Sequence, residues 1–205
     1  PALNDNQSYG VPMMEAPDEV IPAHSIFSYL TPASSNANEK WTETNFKLTP
    51  NWRSRRSGFG FQKSGSTLTG LIKTSIPTSK RVIWLRKKFS IKNHETLDHL
   101  ILRIQFDDGF TAYLNGQKVA SMNALVKPKY NSYATKDNRD LSFFDFDLTD
   151  HIRLLKPGEN NVLAVQAFNY RSDREQFFVM PTLLAGRLSA FDSTKRVFLS
   201  TPTPR

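Results

Sequence analysis

Carboxylates that could do acid–base chemistry stand in two places. Asp107 and Asp108 are neighbours, so on an extended strand they point to opposite faces and cannot flank one bond, as a paired acid and base must. Their expected role is structural, through hydrogen bonds to nearby backbone; a structural calcium ion is the alternative. Asp145 and Asp147 are two residues apart, which puts both on one face of a strand, either as an exposed polar face or as a cation site. His24, His94, His99 and His151 are scattered without metal-ligand spacing. The sequence holds no cysteine, which removes disulfides, thiolate metal sites and cysteine nucleophiles. No Gly-x-Ser-x-Gly elbow accompanies the serines, and Gly58-Phe-Gly-Phe-Gln62 lacks the trailing glycine and lysine of a phosphate loop. The expected reading is a non-catalytic chain without a cofactor.

Binding chemistry is better represented. Sugar rings lay their C–H faces on flat aromatics while amide, carboxylate and guanidinium groups bond the hydroxyls, so a site needs a few convergent groups of both kinds. Phe168-Asn-Tyr-Arg-Ser-Asp173 leaves an apolar run and turns polar, offering Asn169, Tyr170, Arg171 and Asp173. The stretch from Asn123 to Tyr133 offers Asn123, Tyr130 and Tyr133 beside Lys127 and Lys129. Loops on a rigid scaffold are the usual place for recognition; plain loop packing is the alternative for each. Trp52 with Arg53, Arg55 and Arg56 is a third candidate, whereas Trp41 and Trp84 are assigned to packing.

The elements that must hold these loops are strands. Ile83, Leu85, Phe89 and Ile91 alternate with Arg86, Lys88 and Ser90, and Leu100, Leu102, Ile104 and Phe106 alternate with His99, Arg103 and Gln105. Period-two alternation marks half-buried strands. Asn115-Gly116 favours a type I′ hairpin turn between 109–115 and 117–121. Residues 141–148, 161–170 and 176–188 complete the set, with one helical turn over 150–155 capped by Thr149 or Asp150 and stopped by Lys156-Pro-Gly158. Residues 1–40, with Pro12, Pro17, Pro22 and Pro32, read as a linker or an extended segment anchored by Val20-Ile21 and Ile26-Phe27. The module proper is placed at 41–190 and a C-terminal strand or linker at 191–205.

A chain of 205 residues can build its own core. No apolar run approaches the roughly 18 residues that span a bilayer, so no membrane insertion is expected. A chain opening on Pro1 is expected to be a processed or excised piece. The net charge of +8 either solvates the surface or favours anionic partners. No nucleic-acid-binding motif accompanies it, and no nucleic-acid partner is expected.

Three runs carry a family resemblance: Trp84-Leu-Arg-Lys-Lys-Phe89, then Asp107-Asp-Gly-Phe-Thr-Ala-Tyr-Leu-Asn-Gly-Gln-Lys-Val-Ala120, then Leu154-Leu-Lys-Pro-Gly-Glu-Asn-Asn-Val-Leu-Ala-Val-Gln-Ala-Phe-Asn169. With Gly58-Phe-Gly-Phe61 upstream and Phe198-Leu-Ser-Thr-Pro-Thr-Pro204 downstream, the chain resembles the galactose-binding-like jelly-roll modules of large secreted bacterial multidomain proteins. The resemblance implies an all-β jelly-roll sandwich, a secreted or cell-surface setting, and a glycan or polysaccharide as partner alongside the parent protein's other domains. The function it implies is an accessory carbohydrate-binding or adhesion module, with the basic excess favouring anionic polysaccharides. A structural spacer or protein-interaction module is the alternative.

Overall fold

Apolar alternation decides the long central strands, and turn chemistry decides where they stop. The computed structural model describes residues 17–33, 39–63, 68–92, 94–171 and 175–187. In chain order the strands are β1 (Asp18–Ile21), β2 (Ile26–Leu30), β3 (Arg53–Arg56), β4 (Phe59–Gln62), β5 (Thr74–Ser75) and β6 (Val82–Ile91). They continue with β7 (His99–Asp107), β8 (Gly109–Leu114), β9 (Gln117–Met122), β10 (Phe144–Asp147), β11 (Gly158–Phe168) and β12 (Gln176–Gly186). One sheet runs β10-β7-β12-β4-β5, with β1 also on β12; the other runs β3-β2-β6-β11-β8-β9. The chain is an all-β sandwich.

The two sheets meet through the faces that the alternation marks. Ile83, Leu85, Phe89 and Ile91 of β6 join Leu100, Leu102, Ile104 and Phe106 of β7 in one buried core with Phe110, Leu163, Val165 and Phe177. Phe106 packs edge-on against Phe110 with ring centroids 4.8 Å apart. The hairpin between β8 and β9 turns at Asn115 (φ 51°) and Gly116 (φ 90°), both in the left-handed region that a type I′ turn demands. Asn115 does more than turn. Its side chain donates to the Leu154 carbonyl (2.7 Å) and to Asn161 Oδ1 (2.9 Å), and its Oδ1 accepts from the Val162 amide (2.7 Å).

Several features refine or depart from the sequence expectation. Of the two expectations for residues 1–40, the extended segment anchored by Ile21 and Phe27 fits residues 18–30, which go further and pair as strands: β1 pairs with β12, and β2 pairs with β3 and β6. Ile21 and Phe27 are fully buried. The prolines that argue against strands sit just beyond them, at 17, 22 and 32, where a missing N–H leaves no gap in the pairing. The helical turn is a 3-10 turn over Thr149–Leu154 whose N-cap is Leu148, without a side-chain cap. The strand expected at 141–148 is confined to β10.

A further departure concerns the outer face of the second sheet. Alternation places Arg86 on a solvent face, yet Arg86 is 3% exposed. The segment 39–52 lies over that face as a 3-10 turn and irregular chain. Trp41 stacks flat on Trp84 at 4.8 Å and 6°, and Trp52 and Phe46 pack around them. The expectation that Trp41 and Trp84 serve packing agrees with this geometry.

Candidate functional site

Strand register places the two candidate loops together. β11 ends at Phe168, opposite Val82 of β6 and Gly109 of β8, so the chain after Phe168 leaves at the end of the sandwich where β7 turns into β8. The 123–135 loop departs from β9 at that same end. The Thr135 amide donates to the Asn123 carbonyl (2.8 Å), closing the loop at its base in the manner of an Ω-loop. The Ala134 amide donates to the Asn169 carbonyl (3.1 Å), which ties one candidate loop to the other.

Asp108 organises this end. It is fully buried; its carboxylate accepts from the Tyr170 amide (2.6 Å) and the Asn138 amide (3.1 Å), while its carbonyl accepts from Asn123 Nδ2 (2.9 Å). Asp107, 1% exposed, accepts from Gln176 Nε2. Both carboxylates therefore hold structure together, in line with the expected structural role. Gly109 follows because nothing larger fits: a Cβ there would stand 2.6 Å from the Asn123 carbonyl oxygen.

The candidate side chains divide by job. Asn123, at φ 53°, and Asn169, 1% exposed, are framework: Asn123 bonds Asp108, and the Asn169 amide donates to the Arg81 carbonyl (2.8 Å). Tyr130 and Tyr170 are half-buried against the cluster that contains Trp84, Ala134 and Phe168. Tyr133 is half-buried and accepts from Arg81 Nη1, with the guanidinium 4.8 Å from the ring centroid. Arg171 is exposed and lies 5.0 Å from the Tyr170 ring centroid. Asp173 lies outside the described residues. The structure thus brings Tyr130, Tyr133, Tyr170 and Arg171 to one end of the molecule on a framework of Asn123 and Asn169.

Two participants are invisible to sequence reasoning. Arg81 directly precedes the first alternating strand and carries no motif, yet it meets Tyr133 across 52 positions. Gln166, on the outer face of β11, donates to the Lys129 carbonyl (2.9 Å) and pins the middle of the Ω-loop. The resulting surface presents three tyrosine rings, two of them, Tyr133 and Tyr170, with a guanidinium beside them, and the exposed Lys127 and Lys129. That arrangement can stack a planar or ring-shaped ligand and bond its hydroxyl or anionic groups.

The other candidates separate from this end. Asp145 accepts both Nε (2.7 Å) and Nη2 (2.7 Å) of Arg103, and Asp147 accepts from the Thr149 amide (2.8 Å). Among the described residues no group of three or more His, Asp or Glu could hold a metal ion. A cleft of about 430 Å³ lies at the opposite end of the sandwich, where Asp18, Lys92 and Arg187 are exposed beside Ile91. No helix among the described residues is long and apolar enough to cross a membrane.

The paired Arg103 guanidinium, chiefly through its hydrogen bonds, holds the Asp145 carboxyl below its ordinary value of 3.8. A depressed folded-state value contributes stability above the unfolded value, and that contribution is lost as pH falls through the folded value. Because the pair is 43% exposed on each side, its worth is under about 1 kcal/mol. The expected result is that Asp145→Asn lowers Tm slightly at pH 7 and that the difference from the parent chain shrinks as pH falls below the carboxyl's ordinary value of 3.8. A difference that persists or grows in acid would contradict the pairing.

No protein-family model matches the chain, and no curated protein does. Solved structures do share its fold. A beta-glucuronidase from an uncultured Clostridium species superimposes with a TM-score of 0.52 at 16% identity, over 85% of this chain and 29% of that one. Bifidobacterium dentium beta-glucuronidase, solved with coumarin-3-O-glucuronide, gives 0.50 at 14% identity, over 89% of this chain and 31% of that one. At these identities the likeness concerns the sandwich alone, and this chain spans about three tenths of the length of either protein.

Proposed function

We propose that this chain is a non-catalytic glycan-binding or adhesion module of a secreted or cell-surface protein, and that it binds through the loop end built on Asp108. The observation that carries the reading is the convergence of Tyr130, Tyr133 and Tyr170 with Arg81 and Arg171 on two loops tied by the Ala134–Asn169 hydrogen bond. The half-buried rings supply stacking area at their uncovered parts, and guanidinium groups supply forked donors for hydroxyl or carboxylate oxygens. The carboxylates that acid–base catalysis would need are engaged elsewhere, Asp107 and Asp108 in framework hydrogen bonds and Asp145 with Arg103. The sandwich also occurs within enzymes named for glucuronides, which is reason to include uronic-acid glycans among the ligands tried. Shallow sites of this kind bind weakly alone and gain strength from neighbouring modules of the parent protein.

The test is a glycan-array screen with neutral, uronic-acid and sulfated polymers, with and without calcium. A hit is expected that Tyr170→Ala and Tyr130→Ala each weaken by at least tenfold. A blank array from folded protein would overturn the reading in favour of a spacer or protein-interaction module. One feature favours that second reading: Leu125 and Val126, at the crest of the Ω-loop, are 48% and 85% exposed, an apolar pair suited to a protein surface.

A further inference from the structure

β3 is an edge strand with an unusual composition: Arg53, Ser54, Arg55 and Arg56, all exposed. It pairs on one side only, with β2. At about 3.4 Å per residue the three stems leave the backbone within about 10 Å of one another, Arg53 and Arg55 on the face of Tyr29 and Phe27 and Arg56 on the face of Ile26, so that they straddle the edge from both sides, a span comparable to the Debye length at about 0.1 M salt. Among the described residues none of the three has an ion-pair partner.

The strip is longer than β3. Arg56 stands across from Ile26 of β2, and the β2–β6 register places Lys88 at the next position of that row on the outer face. Ile26 is 57% exposed between them. Lys73 lies beside Gly58, just beyond the strand. Like charges this close repel, and among the described residues no acid pairs with the three arginines.

Guarding a free sheet edge against pairing with another chain is the ordinary use of edge charges, and lysine is the usual choice. Here the edge is already partly closed: Arg55 Nη1 donates to the Ser54 carbonyl (2.9 Å), and Thr74 Oγ1 donates to the Arg56 carbonyl (2.7 Å). Three arginines exceed that need. Arginine also differs from lysine in presenting a planar fork that grips two oxygens of one sulfate or carboxylate.

We propose that the β3 edge is a second binding surface, for a sulfated polysaccharide, acting through Arg53, Arg55 and Arg56 with Lys73 and Lys88 as flanking charges. A polysaccharide fits better than nucleic acid because the strip offers no free ring for base stacking. The neighbouring aromatics are engaged in packing: Trp52 against Trp41 and Phe46, Tyr29 against Phe59, and Phe27 fully buried. The proposal shares its ligand class with the loop-end reading but not its site. Each can therefore fail alone.

The experiment is binding of heparin to the full chain across a salt series, with neutral dextran and a short DNA duplex as comparison probes. The triple change Arg53→Ser, Arg55→Ser, Arg56→Ser is expected to weaken heparin binding at least thirtyfold and to flatten its salt dependence. The same net charge removed at the opposite edge, by Lys118→Ser, Arg153→Ser and Lys156→Ser, is expected to weaken it by less than threefold. All six residues are exposed, so unchanged Tm is expected for both and is checked first. A matched triple to lysine keeps the charge without the fork and is expected to recover only part of the binding. Equal losses from the two serine triples would overturn the proposal in favour of diffuse charge. A duplex bound as tightly as heparin and lost with the same arginines would overturn it in favour of nucleic acid. Array binding that survives Tyr170→Ala and Tyr130→Ala, with heparin binding lost in the arginine-to-serine triple, removes the loop-end reading and leaves this one standing.

Discussion

Asp108→Ala is expected to lower stability by about 4 kcal/mol, because it strands two buried amides at once at roughly 1–3 kcal/mol each. For a domain of this size that is a fall in Tm of about 8–16 °C. The two amides belong to Tyr170 and Asn138, one on each segment that frames the loop end. The loss is therefore expected to appear locally before it appears globally, as faster hydrogen exchange at those positions. Asp108→Asn separates charge from shape. The amide keeps one acceptor oxygen but turns its NH2 toward the other backbone N–H, so it should retain about half of the stability and still release one loop. Any glycan bound at the loop end should weaken in both variants although Asp108 itself is buried away from solvent. An Asp108→Asn variant with unchanged Tm and full protection at Tyr170 would show that the carboxylate does not hold the loops.

Arg86→Met is the second large effect. The guanidinium is buried on the outer face of the second sheet. Its Nη2 donates to the carbonyls of Glu43 (2.7 Å) and Thr44 (3.3 Å), and it lies 5.9 Å from the Phe46 ring centroid. Burial without a carboxylate partner pulls its proton affinity below the ordinary arginine value, which marks a group held there by the carbonyls it caps. Methionine replaces the aliphatic stem but not the donors. The covering segment 39–52 loses its fastening, and the net cost is about 3 kcal/mol once the relieved desolvation of the charge is set against the stranded carbonyls. Tm should fall by about 6–12 °C. Limited proteolysis should cut first near residues 43–50, before any cut in the strands. A normal Tm together with an uncut 39–52 segment would refute this role for Arg86.

Much of the architecture could be read from the order of residues. A period of two is a local property, so β6 and β7 and the faces they bury followed from alternation alone. Asn115-Gly116 fixed its hairpin because few other dipeptides accept two left-handed residues in a row. The neighbouring carboxylates Asp107 and Asp108 were legible as structural, since adjacent strand residues face opposite ways. Local signals failed where pairing comes from far along the chain. β1 and β2 are short and hemmed by prolines, and they exist because the exposed edges of β12 and β6 receive them. The same holds for Arg86, whose polar character predicted solvent.

The candidate site shows the same division. Composition and spacing singled out the tyrosine-bearing loops and the arginine cluster as chemistry without a place. Only the tertiary structure decided that Asn123 and Asn169 serve as framework, that Arg81 stands over Tyr133, and that the arginines form an edge without ion-pair partners among the described residues. Side-chain type and strand period are set by a few consecutive residues, so the sequence determines them directly. Which loops meet, and which polar groups end up under a covering segment, depends on contacts between residues tens of positions apart. No local pattern encodes those contacts; packing the two sheets settles them.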